Sequence, residues 1–368
     1  MLVILGVFLM IAVFLFAERS GIQYTEKNRK VAYLSQEEVV TEQMAAKSLP
    51  KTCLVLRNSE DEASVAAWEQ FQQIFKDMKV GTDVVDLQSA SSIPDYHAYE
   101  TVVVLLSDVS PLKENLMELC DWVSEGGNVL FALTLQKTAY SSVIEQKLGI
   151  VSSGYDNIRV DSIYFEPEFM LGGGQAYAIT DPYDSAWAVQ LSENAKVYAR
   201  VNEKNGQPVI WENQYGKGKF VVDNFGLYEK VVRGFYAASY SLLTDVGVYP
   251  DDLLDEDRGA ALGWEKMKGN LADYMDWLVD SAPSLRQLTG SELSGAIQRY
   301  GAVTFTKTVT ERSIELKLKN FYDEAYFMVR INEGTPGEVS GGKLTHLTGN
   351  LYLLQAKKPT VTIEKLED

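Results

Sequence analysis

Thr101-Val102-Val103-Val104-Leu105-Leu106 is a run of six apolar or β-branched residues with no polar alternation. That pattern is expected of a strand buried on both faces. Asp108, Ser110 and Pro111 end the run, and a helical period follows in Leu112, Leu116, Met117, Leu119, Cys120 and Val123. Gly126-Gly127 stops that helix, and Asn128 to Leu133 is a second apolar run. Strand, helix and strand over roughly thirty residues make a βαβ unit with parallel strands and a right-handed crossover. The unit sets the class of the fold as α/β.

The alternation extends to both sides. Residues 52–56 read as a first strand. Asp61 can cap a helix over 62–78 with the stripe Val65, Ala66, Trp68, Phe71, Ile74 and Phe75, and 82–87 read as a second strand. A short helix follows near 140–148. From 151 to 206 the pattern is irregular, with short β-like runs and the triplet Gly172-Gly173-Gly174, and predicts an insertion over one end of the sheet. Residues 208–211 and 219–222 are again strand-like, joined by a hairpin turn. A helix over 227–243 closes the domain near Tyr249.

Beyond it the acids Asp251, Asp252, Asp255, Glu256 and Asp257 mark a boundary. A helical period runs over 262–279, Pro283 breaks it, and Thr289 or Ser291 caps a last helix to Tyr300. From Ala302 the period switches to two, which predicts antiparallel strands. At the other terminus, Leu2 to Ala17 is uncharged and free of proline. It suits an uncleaved membrane anchor, the alternative being the apolar part of a signal peptide. Residues 1–18 are thus expected to anchor the chain and 19–50 to space it from the bilayer. Residues 51–249 form the α/β domain with the insertion 151–206, 250–300 a helical connector, and 301–368 a small antiparallel β domain. Basic residues after the apolar run would by themselves favour a cytoplasmic globular part, but large downstream domains translocate despite such charges.

The formal net charge of −17 argues against a nucleic-acid binder, which needs a basic face. Cys53 and Cys120 are too few for a disulfide framework and read as small core residues. The two histidines, His97 and His346, fall in different domains without ligand spacing, so no metal site is expected. The turn after Leu133 holds no nucleophile, and Gly216-Lys217-Gly218 sits between strands rather than before a helix. No catalytic residue and no cofactor follow.

Ligands of open α/β sheets bind beyond the carboxyl ends of the strands. The candidates there are Arg57, Asn58 and Glu60 after the first strand, Asp108 after the central one, and Asp223 and Asn224 after the last. Tyr155, Tyr164, Phe165, Tyr177, Tyr183 and Trp187 lie nearby on the insertion. Carboxylates, amides and aromatic faces would suit a sugar polymer; equally, Asp and Asn would cap helices while the aromatics pin the insertion to the sheet. A carboxylate-only hydrolase would use Glu60 and Asp108 as acid and base.

Residues 51–249, ending in Tyr215-Gly216-Lys217-Gly218-Lys219-Phe220-Val221-Val222, resemble the glutamine-amidotransferase-like module, a flavodoxin-like parallel sheet. With Gly263-Trp264, Tyr274-Met275-Asp276-Trp277-Leu278 and Leu285-Arg286-Gln287-Leu288-Thr289, most of the chain resembles bacterial domain-of-unknown-function family 2194. The resemblance implies a membrane-anchored, extracytoplasmic protein associated with exopolysaccharide export of the Pel type. It also implies a polysaccharide-deacetylase-like barrel between module and tail. Here Tyr249-Pro250-Asp251-Asp252 leads almost at once into the tail, with no room for that barrel and no histidine partner for Asp251-Asp252. The expectation is a non-catalytic protein that binds or positions envelope polysaccharide or its export machinery.

Overall fold

The structure is a computed structural model and describes residues 49–135, 138, 141–184, 186–225, 232–249 and 290–366. In the first domain the strands are β1 Lys51–Arg57, β2 Gly81–Asp86, β3 Thr101–Leu105, β4 Asn128–Phe131, β5 Ile150–Asp156, β6 Val160–Phe165, β7 Ala176–Tyr183, β8 Ala186–Leu191, β9 Lys196–Val201, β10 Pro208–Tyr215 and β11 Gly218–Asp223. Its helices are α1 Glu62–Asp77, α2 Asn115–Glu125, α3 Ser141–Glu145 and α4 Val232–Ser241. Nine strands form one sheet in the order β2-β1-β3-β4-β11-β10-β9-β6-β7. The β2-β1-β3-β4-β11 half is parallel throughout. The remaining pairs are antiparallel.

The sheet is therefore mixed, which corrects the expected flavodoxin-like parallel sheet, while the hairpin expected between 208–211 and 219–222 is present as the antiparallel β10–β11 pair. The reason lies in residues 151–206. They were expected to lie over one end of the sheet, yet β6, β7 and β9 continue it edge to edge. Only β5 and β8 leave it, as a two-stranded ribbon whose Ile150, Trp187 and Val189 pack on the α2 face. Short strands broken by Gly and Pro hide their register in the sequence, because two-period alternation is legible only over longer runs.

The central run behaves as its composition demands. Val103 and Leu105 of β3 enter the core shared with α1 and α4, whereas Val102 and Val104 enter the core shared with α2. All four are fully buried, and each such side chain contributes about 1.5–3 kcal/mol of transfer free energy. The Gly216-Lys217 turn between β10 and β11 abuts the end of α2. Gly216 has φ +62, and a Cβ on Gly218 would stand 2.0 Å from the Gly127 carbonyl oxygen. Glycine is thus required where hairpin and helix end meet.

The second domain is a sandwich of two four-stranded antiparallel sheets. Its strands are β12 Val246–Tyr249, β13 Thr304–Val309, β14 Ser313–Lys319, β15 Ala325–Ile331, β16 Thr335–Ser340, β17 Gly342–Thr348, β18 Leu351–Ala356 and β19 Thr360–Leu366, with α5 Gly290–Ala302 beside them. The sheets run β12-β15-β18-β17 and β13-β14-β19-β16. β12 was assigned by sequence to the first domain, but it pairs with β15 from Val246↔Ile331 to Tyr249↔Met328. The expected helix over 262–279 and the apolar segment Leu2 to Ala17 lie outside the described residues.

The sandwich docks on the amino-terminal edge of the parallel strands. Tyr300 donates its hydroxyl to the Asp77 carbonyl. Lys307 pairs with Glu100 at 3.1 Å, and Thr348 donates to the Pro167 carbonyl at 3.1 Å. At the centre of the joint Arg330 of β15 is 1% exposed. Its Nε donates to Ser241 Oγ at 3.0 Å, Nη1 to Asn350 Oδ1 at 2.5 Å and Nη2 to the Phe169 carbonyl. Asn332 donates to the carbonyls of Ser241 and Thr244 beyond the end of α4.

Replacing Arg330 by Met keeps an apolar stem but strands several buried acceptors, each costing about 1–3 kcal/mol. We expect Arg330→Met to lose roughly 3 kcal/mol or more of stability by that sum. Arg330→Lys should not restore it, because an ammonium cannot span the same fork of acceptors. Urea unfolding of both variants checks this; midpoints equal to that of the parent would show that the joint does not rest on the guanidinium.

Candidate functional site

In the order β2-β1-β3-β4 the chain winds outward from β1 in one direction and from β3 in the other. The crevice beyond their carboxyl ends is the place where a doubly wound sheet accepts ligands. Arg57-Asn58-Ser59-Glu60-Asp61 leaves β1 at this edge and Leu106-Ser107-Asp108-Val109 leaves β3 beside it. Asp61 joins the two. Its Oδ1 accepts from the Ala63 N–H at 3.0 Å as the N-cap of α1, and its Oδ2 accepts from Ser107 Oγ at 2.8 Å. The helix N-terminus that would attract an anion thus already holds a carboxylate.

Several neighbouring polar groups have similar local partners. Asn58 Oδ1 accepts from the Glu60 N–H at 2.9 Å. Asp108 Oδ1 accepts from the Ser110 N–H at 2.8 Å, which closes a turn. Glu60 is exposed. Arg57 and Asp86 are register partners at the ends of β1 and β2 and form an ion pair at 3.4 Å. Asp86 Oδ1 also accepts from the N–H groups of Ser59 and Gln88, both at 3.2 Å. Partial burial would raise the Asp86 carboxyl, but the hydrogen bonds from Ser59 and Gln88, with the Arg57 charge, hold it below the usual carboxylate range.

A second cluster lies beyond β11, about 14 Å from β1 at three strand spacings. Asp223 is fully buried. Its Oδ1 accepts from the Phe225 N–H at 3.1 Å, and it is hydrogen-bonded to Tyr236 of α4, whose phenol burial and that carboxylate together push well above its ordinary value. Asn224 donates through Nδ2 to the Trp187 carbonyl at 3.3 Å. The Asn224 carbonyl accepts from Thr134 Oγ1 at 2.9 Å, which ties β4, β8 and β11 together.

The candidate residues therefore divide. Arg57, Asn58, Glu60 and Asp108 gather at the switch point, and Asp223, Asn224 and Trp187 gather at β11. Tyr183 pairs with Val160 on the far edge strand, four strand spacings or about 19 Å from β11. The aromatic faces proposed for a sugar are largely turned inward. Trp187, Tyr164 and Phe165 are buried, whereas Tyr155 is 71% exposed. Asp86 and Tyr236 were missed as site residues. For Asp86 the signal was available, since an acid ending one strand faces an arginine ending its neighbour. For Tyr236 no sequence signal links a helical tyrosine to a strand-end acid.

Burial pushes the Cys53 thiol up to about 12 and the Cys120 thiol up to about 11, so both stay protonated and inert near neutrality. His346 bonds the Gly349 carbonyl at 2.9 Å. Among the described residues no group of three or more His, Cys, Asp or Glu side chains is placed to hold a metal ion. Among the same residues no helix is long and apolar enough to cross a membrane.

The family model DUF2194, described as "Uncharacterised protein conserved in bacteria", matches residues 7–188 and 246–353. A search of curated protein sequences found no match. Among solved structures the chain is similar to a GH42 β-galactosidase from G. stearothermophilus, with 16% identity over 86% of this chain and 40% of that one, at a TM-score of 0.38. It is also similar to a ThuA-like protein from Bacteroides uniformis, with 10% identity over 53% of this chain and 91% of that one, at a TM-score of 0.38. A cytoplasmic protein of Salmonella typhimurium LT2 is similar at 14% identity, over 51% of this chain and 96% of that one, at the same TM-score of 0.38. The chain spans 40% of the β-galactosidase.

Two outcomes follow from this edge. Asp61→Ala removes the cap of α1 and the Ser107 bridge, and should cost about 0.5–2 kcal/mol, read from thermal or urea unfolding. Asp86 has a lowered folded pKa, so its stabilisation is complete above the unfolded carboxylate value of about 3.9 and is lost as pH falls through the folded one. Unfolding free energies measured across the acid range should fall less steeply in Asp86→Asn; identical acid limbs would show that the Ser59, Gln88 and Arg57 contacts do not stabilise the ionised form.

Proposed function

The chain belongs to bacterial family DUF2194, and from that premise we propose a non-catalytic, membrane-anchored, extracytoplasmic protein that binds or positions envelope polysaccharide or its export machinery. The first domain is read as a flavodoxin-like, glutamine-amidotransferase-like module used for binding. Leu2 to Ala17 is read as the anchor. One observation carries the non-catalytic part. At the edge where doubly wound sheets do chemistry, Asp61, Asp86 and Asp108 are each consumed by caps, turns or an ion pair. A general acid would need a raised pKa, and Asp86 is shifted the other way. The same observation disfavours a carboxylate hydrolase, because Asp108 is turned into its own loop.

The test is direct. The full chain in detergent is incubated with acetylated and deacetylated exopolysaccharides, including Pel-type polymer. Binding is read by co-sedimentation, and release of acetate or reducing ends is followed in the same samples. Retention of polymer with no release is the expected result. Release of acetate or sugar that is lost in Glu60→Gln or Asp108→Asn would replace the proposal with the hydrolase. Protease accessibility in intact cells decides the side of the membrane.

A further inference from the structure

The connection from β2 to β3 carries Asp95-Tyr96-His97 at a short 3₁₀ turn, Tyr96–Ala98. Asp95 starts it, with Oδ1 accepting from the His97 N–H at 3.0 Å. Tyr96 is buried with its ring centroid 6.0 Å from that of Trp122 on α2. Its hydroxyl donates to the Asn115 carbonyl at 3.4 Å. The turn is thus laid along the outer helix of the sheet.

The exposed His97 ring completes this contact. Nδ1 stands 2.9 Å from Asp95 Oδ1, and Nε2 stands 3.0 Å from Glu125 Oε2 at the last residue of α2. Ionised carboxylates only accept hydrogen bonds, and a neutral imidazole carries one N–H. A neutral ring can therefore satisfy one arm only, and its second nitrogen would set a lone pair against an oxygen. The imidazolium alone donates to both. Its charge also sits at the carboxyl end of α2, where the helix favours a cation.

The geometry points to a proton-operated clamp: protonated His97 ties the β2–β3 connection, through Asp95, to the end of α2, through Glu125. Asp95 and Glu125 are the charged groups that face the ring from the two elements it joins. The hydrogen bonds to Glu125 and then Asp95 raise the His97 pKa above its ordinary value, against slight desolvation. With a raised folded pKa, the clamp is complete below the ordinary imidazole value of about 6.5 and is released as pH rises through the folded one. This inference is independent of the polysaccharide reading.

The chain has two histidines, so ring carbon–proton NMR signals of the full chain are assigned by His97→Asn and His346→Asn. His97 should titrate above the ordinary imidazole value. Glu125→Gln and Asp95→Asn should each lower its midpoint. Amide hydrogen exchange over 95–99, corrected for intrinsic pH dependence, should step up at the His97 midpoint in the parent and lose that step in Glu125→Gln. All three side chains are exposed, and far-ultraviolet circular dichroism confirms folding of the variants. A midpoint at or below the ordinary value, or one unmoved by Glu125→Gln, would overturn the clamp, as would exchange without a step in the parent.

Discussion

A guanidinium with almost no access to water holds the two domains in one arrangement. Burying a charge is costly unless every donor finds an acceptor. Arg330 answers that demand on all three nitrogens with acceptors from both sides of the joint: Glu168, Phe169 and Ser241 on the α/β domain, and Asn350 within the sandwich. A sliding or rotated interface would leave donors unsatisfied, so the contact specifies geometry more than it adds stability. Asn332 acts in the same way on the carbonyls past α4. β12 makes the joint covalent as well, because the strand leaving the first domain becomes part of the second domain's sheet.

This joint decides which edge of the sheet is left for other work. Lys79, Glu100, Pro167 and Ser241, all at the amino-terminal edge, meet the sandwich. Among the described residues, the carboxyl-terminal edge with the switch point takes no part in that contact. Yet the side chains there are organised for stability. Asp61 caps α1 and bridges to β3, Asp86 collects two amides and an arginine, and Asp108 closes a turn. Groups tuned for proton transfer are expected to have pKa values displaced toward neutrality, and the displacement at Asp86 is away from it.

The legible part of the sequence was the part whose period is strong. Residues 101–106 and 128–133 predicted neighbouring parallel strands, and β3 pairs β4 in parallel. Asp61 precedes a helical period, as a capping residue does, and caps α1. The candidate residues after β1 and β3 share one edge because adjacent parallel strands end together, and Asp61 and Ser107 link the two loops. Tyr183 could not be excluded by the same logic, since its distance from the others depends on β6, β7 and β9 extending the sheet. Their pairing is long-range and interrupted, for example at Val160/Ser162 and Pro208/Ile210. Arg330 was equally hidden. In an alternating strand its neighbours suggest only a position, and what it touches lies 161 residues away.

The entry point of the chain adds a geometric consequence. β1 begins at Lys51 on the amino-terminal edge, and Leu49 is buried there. Close approach is enforced at that point, since a Cβ on Gly81 would stand 2.1 Å from the Pro50 carbonyl oxygen. The segment that precedes the fold thus attaches at the edge that carries the sandwich. Under the proposed anchoring, the tether and the sandwich share one end of the α/β domain, and among the described residues the switch-point edge contacts neither. The Arg330 joint therefore lies at the same end of the α/β domain as the chain's entry, opposite the switch point.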